Sequence, residues 1–163
     1  MKFSSQEEYG LRCLLRLGMQ PPSASLTIPE ISRLEGISPH YVAKLLRVLR
    51  RGQLVRSARG QAGGYLLSRP ASQIVVAEAL AVLGGRLFDP EFCERHAGEE
   101  LVCTHSIDCS LRSLWRTVQS AVDRVLTRTT LHDLLGHEQE VGDLTNRLVQ
   151  VPMSTQPGAP PQR

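Results

Sequence analysis

Residues 27–52 read TIPEISRLEGISPHYVAKLLRVLRRG, a stretch that holds two helix starts, one helix stop and a one-sided apolar stripe. Thr27 and Glu30 have capping-box spacing, in which each side chain satisfies a backbone N–H at the other's position. The helix they open passes Ile31 and Leu34 and stops at Gly36, where a residue without Cβ takes the left-handed conformation at least cost. Ser38 then caps a second helix, and Pro39 suits its first position because the missing N–H has no partner to lose there. Gly52 ends it. Two short helices joined through Glu35-Gly36-Ile37 predict a helix-turn-helix, and the helix opened by Ser38-Pro39 is the one expected to enter a DNA groove.

On that helix Val42, Leu45, Leu46 and Leu49 form the stripe that must face a core, leaving His40, Lys44, Arg47 and Arg51 on the opposite side. Lys44 is placed to donate to guanine and His40 to a base or a phosphate, while Arg47 and Arg51 hold register on phosphates. Ser38, at the cap, joins them as a DNA-binding candidate. The plain alternative is a solvated helix face. Charge weighs against it: residues 1–70 carry eleven Lys or Arg against four Glu, a balance of +7, whereas residues 71–163 carry eight against twelve, a balance of −4. Six cations and no acid lie from Lys44 to Arg59, and a one-sign block beside a helix-turn-helix favours a polyanionic partner.

Working outward, Ser5 and Glu8 read as a capping box for an earlier helix carrying Leu11, Leu14, Leu15 and Met19. Beyond Gly52, the run from Leu54 to Ser57 and the run from Tyr65 to Leu67 flank a glycine-rich turn, the pattern of a hairpin wing. Arg59 and Gly60 stand at its tip, where the arginine can enter a minor groove or simply meet a phosphate. No Lys-Ser or Lys-Thr follows the glycines and no parallel β-α unit surrounds them, which excludes a nucleotide P-loop. A fourth helix is expected over 75–83. The fold class is therefore mainly α: a winged helix-turn-helix over residues 1–83, with a small β-hairpin wing and a long C-terminal dimerisation helix.

Residues 84–110 form a loop with no sustained period, and Cys93, Cys103 and Cys109 lie in it. An ordered loop of that length needs something to organise it. In the cytosol, the expected compartment, thiols stay reduced, so three cysteines read as a metal or redox site before a disulfide framework. An iron-sulfur cluster would take three thiolates and one further ligand; a zinc site completed by His96 or His105, and packing or exposed thiols without metal, remain the alternatives. Cys13, on the apolar side of the first helix, reads as a small core residue. Over 111–142, Leu111, Leu114, Trp115, Val118, Val122, Val125 and Leu126 recur on one helix face flanked by Arg112, Arg116, Asp123 and Arg124, a pattern that predicts a homodimer on a palindromic operator in double-stranded DNA. Thr130 is expected to cap a short helix to about Glu140, and the proline-rich residues 152–163 to be a disordered tail. No apolar run approaches a membrane span, and no nucleophile and base stand in an enzyme-like constellation.

Met1 to Leu17, Gly36-Ile37-Ser38, Arg59-Gly60 through Gly63-Gly64-Tyr65-Leu66-Leu67, the three loop cysteines and Ser113-Leu114-Trp115-Arg116 together resemble the IscR, NsrR and RirA family of iron-sulfur transcription regulators. The resemblance covers nearly everything before the tail. It implies that Cys93, Cys103 and Cys109 are ligands of a 2Fe-2S or 4Fe-4S cluster and that Arg59 is the wing arginine. IscR-type members take a fourth ligand from a histidine three residues after the last cysteine, where this chain has Arg112; NsrR-type members use an aspartate near the chain start, where it has Glu8. Glu8 of the partner subunit is thus the expected fourth ligand, its alternative being the capping box with Ser5. IscR carries a glutamate on the recognition helix where this chain has Ala43, so its operator does not transfer. Two other readings keep the DNA head: zinc or a cysteine thiol switch in place of the cluster, and a metal-free regulator controlled by a protein partner.

Overall fold

In the computed structural model, residues 4–58, 63–85, 88, 91–97, 103, 105 and 108–150 are described. Helix α1 (Ser5–Gly18) packs against α3 (Pro39–Arg51) and α2 (Ile28–Glu35), and a two-stranded antiparallel hairpin, β1 (Val55–Ala58) with β2 (Gly64–Leu67), follows α3. After a 3-10 turn at Ala71–Gln73, α4 (Val76–Leu83) closes the head against α1 and α3. A short α5 (Phe92–Arg95), the long α6 (Ser110–Leu126), a second 3-10 turn (Asp133–Leu135) and α7 (Glu138–Val149) complete the chain. Among the described residues, no helix is long and apolar enough to cross a membrane.

The helix-turn-helix forms where the sequence places it. The Thr27 hydroxyl accepts from the Glu30 amide and the Glu30 carboxylate accepts from the Thr27 amide at 2.7 Å, so both ends of the box are closed. The carboxyl of Glu30 sits below its ordinary range, chiefly because the Thr27 hydroxyl donates to it and then because the Thr27 amide does. Gly36 adopts φ +67°, a conformation strained for any side chain, and the turn it makes lets α3 pack back on α2. Val42, Leu45, Leu46 and Leu49 are all fully buried. They meet Leu14 and Leu17 of α1, Ile31 of α2, Leu54 and Ile74 in one cluster. Leu34, three residues on from the buried Ile31, is 44% exposed.

The wing is tied to the head by backbone. Leu26 and Tyr65 exchange N–H···O bonds of 2.9 and 2.8 Å, adding a bridge to the outer side of β2. Gly64 is required at that approach, since a Cβ there would stand 2.6 Å from the Leu26 carbonyl oxygen.

Two boundaries differ from expectation. The cap of α1 is Ser4, not Ser5, and its reciprocal partner is Glu7, not Glu8: the Ser4 amide donates to Glu7 Oε2 at 2.7 Å. Thr130 does close a box, with Asp133, but it opens only a 3-10 turn, and α7 has its own start and runs on to Val149. Between them the C-terminal part returns to the head. The Val76 amide donates to Thr129 O at 2.9 Å, the Leu131 amide to Ile74 O at 2.8 Å, and the Leu131 side chain, 1% exposed, enters the head's core. The boundary drawn at residue 83 is therefore bridged by a segment nearly fifty residues later, and α6 is anchored to the head beyond its C-terminal end. The expected tail at 152–163 lies outside the described residues.

Candidate nucleic-acid interface and metal centre

Helix α3 presents His40, Lys44, Arg47 and Arg51 to solvent, all exposed, on the side opposite its buried stripe. Ser38 does what its sequence position implies: its Oγ accepts from the Tyr41 amide at 3.3 Å and so fixes the first turn. Its hydroxyl proton remains available to a phosphate at the helix N-terminus, where exposed N–H groups already favour an anion. Lys44 is held by a residue that the sequence reading passed over. Its ammonium lies 5.6 Å from the centre of the Tyr41 ring, within the range of cation–π attraction. Three-residue helical spacing was the available signal. Arg59 and Gly60 lie outside the described residues.

Tyr41 also joins the reading helix to α1. Tyr9 meets it edge-on at 6.0 Å between centroids, and the Arg12 guanidinium lies 5.5 Å from the Tyr9 ring. Arg12 and Arg16 then converge on Glu35, the last residue of α2: Arg12 Nε reaches Oε2 at 2.9 Å, Arg16 Nε reaches Oε1 at 2.6 Å, and Arg12 Nη2 donates to the Glu35 carbonyl at 2.7 Å. With its side chain only 7% exposed, this carboxylate has both oxygens engaged by guanidinium groups, the condition that makes a buried charge tolerable. Cys13 sits beside it, fully buried, with its thiol pushed up to about 12, first by burial, then by the Glu35 charge, with Arg12 opposing. A thiol so placed stays protonated at neutral pH and acts as a small core residue, as its position on α1 implies.

The other three cysteines differ. Cys93 in α5, Cys103 and Cys109 are half-buried, and all are free thiols. Cys109 is the N-cap of α6, and its Sγ accepts the Arg112 amide at 3.3 Å. Soft sulfur donors of this kind, with an N–H directed at one of them, suit an iron-sulfur cluster by donor type. Within one chain they do not close a site: among the described residues, no three His, Cys, Asp or Glu side chains come together as metal ligands. His96 has one ring nitrogen 2.7 Å from the Phe92 carbonyl oxygen and its ring stacked on Phe92 at 4.2 Å, and His105 is exposed.

Glu8 is exposed on the first turn of α1 and, among the described residues, its carboxylate has no hydrogen bond or ion pair. The capping role weighed for it belongs to Glu7. Around it α1 rests on the place where the cysteine segment departs. Gln6 donates to the Leu83 carbonyl oxygen, and the Glu7 side chain lies over Gly84 so closely that a Cβ there would stand 2.4 Å from its carboxylate oxygen.

The matches to known proteins agree with this geometry. A family model described as "Rrf2: Iron-dependent Transcriptional regulator" matches residues 3–137. The chain is 31% identical over 147 residues to the HTH-type transcriptional regulator IscR of Cronobacter sakazakii, covering 90% of this chain and 87% of that protein. Among solved structures, CymR (YrzC), the global cysteine regulator of B. subtilis, superposes with a TM-score of 0.68 at 30% identity over 83% of this chain and 96% of that one. The IscR of T. potens does so with a TM-score of 0.65 at 29% identity, over 83% and 86%. These relatives are named regulators, not enzymes.

Proposed function

Because the chain belongs to the Rrf2 family of transcriptional regulators, we propose that it is a cytoplasmic homodimer whose affinity for a palindromic operator is set by an iron-sulfur cluster. Cys93, Cys103 and Cys109 would hold the cluster, and Glu8 of the partner subunit would supply the fourth donor. The cluster, when bound, supplies redox lability and sensitivity to iron supply, oxidants or nitric oxide. The remaining steps belong to the chain's own side chains.

The observation that carries this reading is the position of α1. Its first turn offers an unengaged carboxylate at Glu8 while resting on residues 83 and 84, and the next residue, Tyr9, leans on Tyr41 of the reading helix. A ligand bond at Glu8 therefore fixes the helix that supports α3. Carboxylate oxygen is a hard donor and holds a soft centre less firmly than thiolate does, so Glu8 is the ligand most readily exchanged. Its release would free α1 to shift, and with it the spacing of two reading helices across the dimer. His40 and Lys44 would read base edges, with Ser38, Arg47, Arg51, Arg59 and Gly60 on the phosphate backbone. The exposed face of α6 supports the dimer: Leu111, Leu114 and Trp115 are 57%, 51% and 41% exposed in the single chain.

Anaerobic purification with iron and labile-sulfide assays tests the cofactor, and operator binding by loaded and cluster-free protein tests the coupling. The expected result is coloured protein whose DNA affinity changes when the cluster is removed. Colourless protein that gains no sulfide on reconstitution would overturn the cluster; bound zinc or oxidant-dependent binding would then identify the metal or thiol alternative. Glu8→Ala should leave folding intact and hasten cluster loss. A decay rate equal to that of the unsubstituted protein would remove Glu8 from the ligand set.

A further inference from the structure

One buried polar residue on α6 stands away from every group considered so far. Gln119 is 5% exposed. Its Oε1 accepts the Phe88 amide at 2.8 Å and its Nε2 donates to Asp123 Oδ1 at 2.8 Å. A buried amide engaged at both ends is rigid, and losing either partner leaves a desolvated polar group unpaired. Phe88 passes that rigidity on: its ring lies 5.0 Å from Phe92, which stacks on His96 at 4.2 Å, and Cys93 lies between those two residues in α5. The helix that carries Gln119 is the one capped by Cys109.

Gln119 lies about 15 Å along α6 from Cys109, at 1.5 Å per residue, so it is not a ligand. Its bonds instead fix one cysteine-bearing segment relative to the helix that begins with another cysteine. We propose that Gln119 is a positioning residue that clamps the Cys93 segment to α6 and so sets the geometry in which Cys93 and Cys109 can share one inorganic group. The clamp's role toward the cluster rests on the cluster reading above. Asp123 completes it by holding the amide in the orientation that turns oxygen toward Phe88.

Two variants test the clamp. Gln119→Leu removes both bonds. Gln119→Glu combined with Asp123→Asn keeps them with reversed polarity: the introduced carboxylate still accepts from the Phe88 amide, and the introduced amide at 123 donates to it. Reconstituted full-length proteins are challenged with a chelator while visible absorbance is followed, and amide hydrogen exchange is measured on the metal-free forms. Gln119→Leu is expected to lose its absorbance about 10-fold faster, at the low end of the effect of removing a group bonded directly to a metal ligand, because Gln119 acts through Phe88. Exchange should accelerate at Phe88 and through residues 91–97 but not in α3. The paired variant should restore both. Unchanged cluster decay in Gln119→Leu, or no recovery in the paired variant, would overturn the clamp's role. If the unsubstituted protein takes up no iron and sulfide, the cluster reading fails; accelerated Phe88 exchange reversed by the paired variant then upholds the clamp, and unchanged exchange dismisses it.

Discussion

The head and the arm of this chain reach closure by different routes. In the head, Leu14, Ile31, Leu45, Leu46 and Leu49 are fully buried in one cluster, and the first three helices each begin at a side-chain cap. In the arm, α6 buries one residue of its seventeen, Gln119, while Leu111, Leu114 and Trp115 face outward. The head, with Leu131 added to it, has a buried core; the outer face of α6 is left open in the single chain. The core of α1, α2 and α3 is closed by their own apolar stripes, whereas among the described residues the cysteines come to no common site and the outer face of α6 stays exposed.

The largest expected effect lies in the arm. Cys103→Ala should abolish iron and sulfide uptake altogether, measured by anaerobic reconstitution, and leave the denaturant midpoint of the metal-free protein unchanged. Loss of that midpoint would place Cys103 in the core and break the contrast. Next comes the head. Leu46→Ala removes a side chain with no exposed area and should cost about 2–5 kcal/mol in denaturant unfolding, as cavity-forming leucine truncations do. Leu114→Asp should instead shift the proposed dimer toward monomer by sedimentation, with little effect on unfolding at protein concentrations where the monomer prevails. If Leu114→Asp costs as much as Leu46→Ala in the monomer, the α6 face is covered within the chain.

The same contrast decides what the sequence could reveal. Thr27 with Glu30, Gly36, and Ser38 with Pro39 act within a few residues of themselves, and each does what its spacing implies. The cap of α1 was ambiguous because Ser4-Ser5 and Glu7-Glu8 are doublets that satisfy the same spacing twice. Packing chose between them: Gln6 and Glu7 are directed at Leu83 and Gly84, so Glu7 turns to the cap and Glu8 to solvent. Leu131 was not legible as a core residue because its burial depends on pairing with Ile74, far away in sequence. Gln119 lies outside the apolar stripe read along α6, and only the approach of Phe88 makes it a buried amide. The cysteines announced a donor type, but their grouping is not written in their spacing, and no metal-ligand group is closed among the described residues.

Smaller effects separate functions within the head. Lys44→Ala should cost about 1–3 kcal/mol on the preferred operator and flatten discrimination at one base position, the signature of a base contact. Arg47→Ala should weaken all sequences alike and reduce the slope of log affinity against log salt by about 1. Fluorescence anisotropy over a salt series with single-base operator variants distinguishes them. A Lys44→Ala protein with uniform weakening and a reduced salt slope would move Lys44 to the phosphates, leaving Tyr41 as its tether but no longer as a determinant of specificity.

The smallest expected effect sits where the two regions meet. Thr130 and Asp133 close the turn that follows the arm's return to the head, and Leu131 between them enters the head core. The Asp133 carboxyl is held below its ordinary value of 3.8, first by the Thr130 amide and then by the Thr130 hydroxyl. A depressed value means that the ionised form favours the folded state, so the contribution is fully present above the ordinary carboxyl range and is lost as pH falls through the lower folded value. Because the group is largely solvated, about 0.5 kcal/mol is the appropriate scale. Asp133→Asn keeps an acceptor for Thr130 but removes the charge, so it should unfold slightly more easily than the unsubstituted chain at pH 7. As pH falls through that lowered value the two should converge. A difference that persists unchanged into acid would mean that Asp133 acts by shape alone, and that the joint between head and arm owes its strength to Leu131 and the backbone bonds at Ile74 and Val76.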